Sequence, residues 1–119
     1  MANELTIQLP SFTYVKAPFN ESMTPGILAV SINGKQVVHG SIGLTTVDAT
    51  LNKGNVGTYG YVYFKNQDAT NNIQIGSDGT LFPLMLKPGE FSICRWNAAA
   101  IHAKAAVGTP ILEYWAVED

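Results

Sequence analysis

Charge is scarce in this chain of 119 residues. Only 13% of its residues are Asp, Glu, Lys or Arg, about half the usual ~25%. The seven basic residues are scattered from Lys16 to Lys104, whereas a surface that tracks phosphates needs clustered cations, so no nucleic-acid partner is expected. The single cysteine, Cys94, excludes an intrachain disulfide framework. The two histidines, His39 and His102, lie far apart without an H-x-H grouping, which argues against a zinc site. No apolar run approaches the ~20 residues of a membrane helix, so no membrane partner is expected. The first residues carry neither a basic n-region nor an apolar h-region, and no secretory leader is expected. There is no G-x-S-x-G elbow and no glycine-rich phosphate loop. Asp48, Asp68, Asp78 and Glu90 mostly fall in turns, where acidic residues are common anyway. These absences nominate no catalytic, metal-binding or cofactor-binding residue, and the chain reads as a non-enzyme with no cofactor.

What remains is a set of short apolar runs separated by turn residues. From Tyr59 to Trp96 four runs, 59–65, 72–75, 81–86 and 91–96, are separated by NQDATN, GSDG and KPGE. Each run is too short for an ordinary helix, and each connector has turn chemistry, so the stretch reads as a β-meander. Pro83 demotes its run to an edge strand or marks a bulge. Lys87-Pro88-Gly89-Glu90 fits a type II turn, with glycine supplying the positive φ. Upstream, 4–9 alternates with Leu5, Ile7 and Leu9 on one face, and Pro10 ends it. A second strand is expected at 12–16 and a loop at 17–26. Asn33-Gly34 lies between 27–32 and 35–39, the strongest short hairpin signal, which predicts a type I′ turn there.

Residues 97–108 are ambiguous. Asn97 and Gly108 frame an alanine-rich segment that suits a helix. Alternation at Ile101, Ala103 and Ala105, with β signals on both sides, favours a strand at 101–106. A last strand follows at 111–117. The expected fold is all-β: a jelly-roll-like antiparallel β-sandwich of about nine or ten short strands. Residues 1–22 read as an N-terminal strand or arm segment, and 23–119 as the sandwich body of a single domain. The first two dozen residues fit equally a strand pair in the body or an arm laid on a neighbour.

A charge-poor surface is typical of subunit contacts. Tyr has an apolar body and a polar tip that suit such contacts. The candidate interface residues are Phe12, Tyr14, Tyr59, Tyr61, Tyr63, Tyr114 and Trp115.

Residues 60–76 (GYVYFKNQDATNNIQIG), 86–96 (LKPGEFSICRW), 101–105 (IHAKA) and 112–119 (LEYWAVED) resemble small virion proteins of tailed bacteriophages. The likeness covers about half the chain well; the front half follows only in outline. It implies a jelly-roll-like sandwich in a phage particle, and it too favours the strand at 101–106. The role it implies is a capsid decoration, or cement, subunit that oligomerises, often as a trimer, and bridges units of the major capsid protein on the virion surface after assembly in the host cytoplasm. A tail, baseplate or fibre-head subunit is the alternative in the same particle. A carbohydrate-binding module, with exposed Tyr and Trp stacking on sugars, is the alternative from another class.

Overall fold

The computed structural model describes residues 4–119. It is all-β, with twelve strands and no helix among the described residues. The chain divides into two compact units, Met1–Ile32 and Asn33–Asp119.

The first unit is one long two-stranded ribbon. Its strands are β1 (Leu5–Leu9), β2 (Phe12–Lys16), β3 (Phe19–Met23) and β4 (Gly26–Val30). β1 pairs with β4 and β2 with β3, both antiparallel. The offset is the same from Leu5↔Val30 at the base to Lys16↔Phe19 at the tip, so a single register runs through both pairs. That register sets Pro10 opposite Pro25. Neither has an N–H to donate, which is why the ladder breaks there on both sides at once. The tip turn is Ala17-Pro18, with a cis peptide bond. The expected loop at 17–26 is therefore corrected: 19–23 is a strand, because pairing with 12–16 satisfies its backbone despite Asn20 and Ser22. The unit also extends past the expected boundary at residue 22, since the return strand continues to Val30.

The second unit is a β-sandwich. β5 (Val37–Gly43), β6 (Ala49–Thr50), β7 (Tyr59–Asn66), β8 (Ile73–Gly76), β9 (Leu84–Leu86), β10 (Phe91–Arg95), β11 (His102–Ala105) and β12 (Ile111–Glu118) follow in order. They form two four-stranded sheets, β5-β12-β7-β10 and β6-β11-β8-β9, with every pair antiparallel. Counting these strands from one, the orders are 1-8-3-6 and 2-7-4-5, the winding of a jelly roll. The ribbon's four strands bring the total above the nine or ten expected.

Alternation builds the core. Val62 and Phe64 from β7, Leu112, Tyr114 and Ala116 from β12, Ile73 and Ile75 from β8, and Ala103 and Ala105 from β11 all point inward and are buried. Alanine at three of these positions lets the sheets close over the bulkier Phe64 and Leu112. The 97–108 segment resolves as strand β11, with Ile101, Ala103 and Ala105 inside. The alanines that favour a helix locally are used here as small core residues.

The expected hairpin at Asn33-Gly34 does not form. β4 pairs with β1, β5 pairs with β12, and Gly34 lacks the positive φ of a type I′ turn. The glycine is needed for space instead. A Cβ there would lie 2.7 Å from the Glu118 carbonyl oxygen and 2.5 Å from its Cγ. Gly34→Val should cost about 1–3 kcal/mol through this overlap, read as a lower urea midpoint. An unchanged midpoint would show that the 31–36 segment moves aside freely. At Pro88-Gly89 the turn is as expected, with Gly89 at φ 80° and Glu90 N–H donating to the Lys87 carbonyl at 3.0 Å. It is not a hairpin, however: β9 and β10 belong to different sheets, so the turn carries the chain from one layer to the other.

Candidate interaction surface

Of the seven candidate interface residues, the structure keeps five at the surface. Phe12 and Tyr14 are exposed on the ribbon. Tyr61 and Tyr63 on β7 and Trp115 on β12 are half-buried on the outer face of sheet β5-β12-β7-β10. Tyr59 and Tyr114 are core residues, and their place in the candidate set is corrected. For Tyr59 the cause is a register shift: Ala116 pairs with Val62 but Glu118 with Tyr59. The extra residue on β7 reverses the alternation and turns Tyr59 inward. Tyr114 packs over Gly40, its cross-strand partner, and its hydroxyl donates to the Asn52 carbonyl at 2.9 Å. Burial raises the pKa of both phenols.

The outer face of that sheet has a regular build. Ile93, Tyr63, Trp115 and His39 sit side by side across its four strands. The next row is Phe91, Lys65, Glu113 and Ser41. Tyr63 and Phe91 lie with ring centroids 6.1 Å apart, and the Arg95 guanidinium covers Tyr61 at 4.9 Å. Glu113 accepts from Gln67 Nε2 at 2.8 Å and lies 3.2 Å from His39 Nε2. His39 first, then Gln67, holds this carboxyl below its ordinary range.

Elsewhere the polar groups are spent on holding loops. Asp68 accepts from the backbone N–H groups of Thr70 and Asn71, and Asp78 from those of Leu81 and Thr80. Glu118 accepts from Gly57 N–H at 2.7 Å and Lys35 N–H at 3.1 Å. These hydrogen bonds lower the three carboxyl pKa values. A depressed folded pKa adds stability above the unfolded value and loses it as pH falls through the folded one. Urea stability should therefore hold from neutral pH to about pH 4–5 and then decline. Asp68→Asn should flatten part of that decline; an identical acid profile would remove Asp68 from the explanation.

A cleft of about 490 Å³ in the second unit is lined by Lys53, Tyr59, Arg95, Trp96 and Asp119, among others. Its cations are already engaged. Lys53 Nζ donates to the Ala99 carbonyl at 3.0 Å and sits 4.8 Å over the Tyr59 ring. Arg95 pairs with Asp119 at 3.2 Å. His102 Nδ1 lies 2.9 Å from Asp48. Among the described residues no group of three or more His, Cys, Asp and Glu could hold a metal ion, and burial raises the Cys94 pKa.

The ribbon carries a dense group of exposed apolar residues. Phe12, Tyr14, Val15, Phe19, Met23, Ile27 and Leu28 are all exposed. Sequence reading missed Phe19, Met23, Ile27 and Leu28 as surface residues. It saw a loop and a hairpin there, and the tandem Pro10 and Pro25 were the available clue to one interrupted ribbon. Comparison with protein-family models, curated proteins and solved structures finds no match to the chain.

Proposed function

We propose that this chain is a structural virion subunit of a tailed bacteriophage, a decoration protein that assembles as a homotrimer and bridges subunits of the capsid surface. One observation carries the reading: a ribbon that places seven large apolar side chains in solvent, with no residue of its four strands in the core cluster. A two-stranded ribbon is marginal by itself in water and gains stability when its apolar side is covered. A surface-binding arm on a rigid sandwich has that property. The residues that carry the resemblance support it further, because they do structural work: Asn66, Asp68 and Thr70 build one loop, and Lys87 to Glu90 another. The reading contains no catalytic step.

A ligand that binds only the assembled shell stabilises it by mass action. Purified protein added to undecorated particles should therefore co-sediment with them to saturation and raise their disruption temperature. Particles that pellet without it would count against the decoration role. The row Ile93–Tyr63–Trp115–His39 favours a second reading, a carbohydrate-binding module, since rings on a flat sheet can stack on sugars. Titration with soluble glycans separates the two: saturable binding weakened by Trp115→Ala supports the sugar module.

A further inference from the structure

The tip of the ribbon has two unlike faces. Cross-strand partners share a face, so Phe12 with Met23, Tyr14 with Glu21, and Lys16 with Phe19 form one side. Thr13 with Ser22 and Val15 with Asn20 form the other. The first side holds four large apolar residues, Phe12, Tyr14, Phe19 and Met23, each more than half exposed at 58%, 56%, 56% and 59%. A groove of about 310 Å³ lined by Phe12, Tyr14, Glu21 and Met23 opens on it. At the base of the ribbon the apolar residues Leu5, Ile7, Leu9, Leu28 and Val30 have the opposite parity in the common register, and only Ile27, opposite Gln8, keeps the tip's parity. The apolar stripe therefore changes sides at Pro10 and Pro25, and the tip's apolar side is not a continuation of the base's.

The order of residues on the tip identifies an occupant. We infer that this face binds the same face of a second copy of the chain, about a twofold axis running along the ribbon. Such an axis exchanges the two strands. Every side chain on the face then meets the counterpart of its own cross-strand partner: Phe12 meets Met23, Tyr14 meets Glu21, and Lys16 meets Phe19. Each of these contacts is favourable in kind. A thioether packs on an aromatic ring, a phenol donates to a carboxylate, and an ammonium lies on a ring face. The same axis keeps Lys16 from Lys16 and Glu21 from Glu21. A twofold axis across the ribbon instead sets Glu21 against Glu21, an unfavourable like-charge contact. The four apolar side chains, roughly 200 Å² each and a little more than half exposed, offer on the order of 450 Å² per copy, about half of one partner's share of a standard interface, so the contact is a weak one. The inference goes beyond the decoration reading: the twofold contact uses only the tip face and joins one trimer to another, leaving the exposed Ile27 and Leu28 at the base for the particle surface.

A composition-neutral swap tests it by sedimentation equilibrium of the full chain. Phe19→Lys brings a second ammonium against Lys16 of the other copy and should lower the weight-average mass at a fixed concentration. Adding Lys16→Phe to Phe19→Lys exchanges the two partners without changing the amino-acid content, and should restore the mass. Both positions are on the exposed tip, and unchanged circular dichroism confirms that the sandwich is intact. A wild-type chain that stays monomeric, a single variant that associates as wild type does, or a double variant that fails to recover would each overturn the twofold contact.

Discussion

Asn66→Ala should lose on the order of 3–5 kcal/mol of folding stability, a large share of the roughly 5–15 kcal/mol typical of a domain. Asn66 is the only buried polar or charged residue among those described, and it is inaccessible to solvent. Its side-chain amide donates to the Asn71 carbonyl at 2.8 Å and to the Leu86 carbonyl at 2.9 Å, while its Oδ1 accepts from Asp68 N–H at 2.9 Å. Its backbone adds two more bonds, from its N–H to the Glu90 carbonyl and from Gly89 N–H to its own carbonyl. The residue ends β7 in one sheet and bonds to Leu86 on β9 in the other, so it joins the two layers at one point. Alanine removes the amide and takes away the partner of the Leu86 carbonyl in a buried site and those of the Asn71 carbonyl and the Asp68 N–H in part-buried ones. Asn72→Ala is the control, because that half-buried side chain makes only a 3.9 Å contact to the Met85 sulfur. Thermal unfolding should place the Asn66 variant on the order of 15 °C below the wild type, with the Asn72 variant close to the wild type. Equal melting of all three would mean that water replaces the amide without cost.

Deleting residues 2–32 should abolish attachment to particles and leave the sandwich folded. The core cluster begins at Leu44 and includes nothing from the ribbon. The ribbon's own strands pair only with one another. Its removal therefore takes no member from that cluster, and the urea midpoint should move little. The ribbon also exposes Ile27 and Leu28 outside the tip face, and a few such buried contacts carry most of an interface's energy, so affinity for particles should fall by more than about a hundredfold. A truncated chain that still decorates particles would shift the binding surface to the aromatic sheet face. A truncated chain that fails to fold would give the ribbon a structural role that the core does not reveal.

The parts of the fold set by local chemistry were readable in sequence. Short apolar runs bounded by turn residues located β7, β8 and β12, Pro83 marked the edge strand β9, and Lys87-Pro88-Gly89-Glu90 set its own turn. The parts set by distant pairing were not. Asn33-Gly34 carries the strongest hairpin signal in the chain, yet both flanking strands find other partners, β4 in β1 and β5 in β12. The strand at 19–23 has loop composition, and only its register with 12–16 makes it a strand. The candidate surface was legible as far as Phe12, Tyr14, Tyr61, Tyr63 and Trp115. Tyr59 was misplaced because a one-residue shift in pairing is invisible to a rule of alternation. Tyr114 lies in a strand that is apolar on both faces, so sequence alone does not say which face is inside.

The copy number of this chain in purified particles, measured by quantitative mass spectrometry against the major shell protein, tests the decoration role most directly. The expected result is a fixed stoichiometry comparable to that of the shell subunits, lost when residues 2–32 are deleted. A few copies per particle, in step with tail proteins, or none at all, would contradict it.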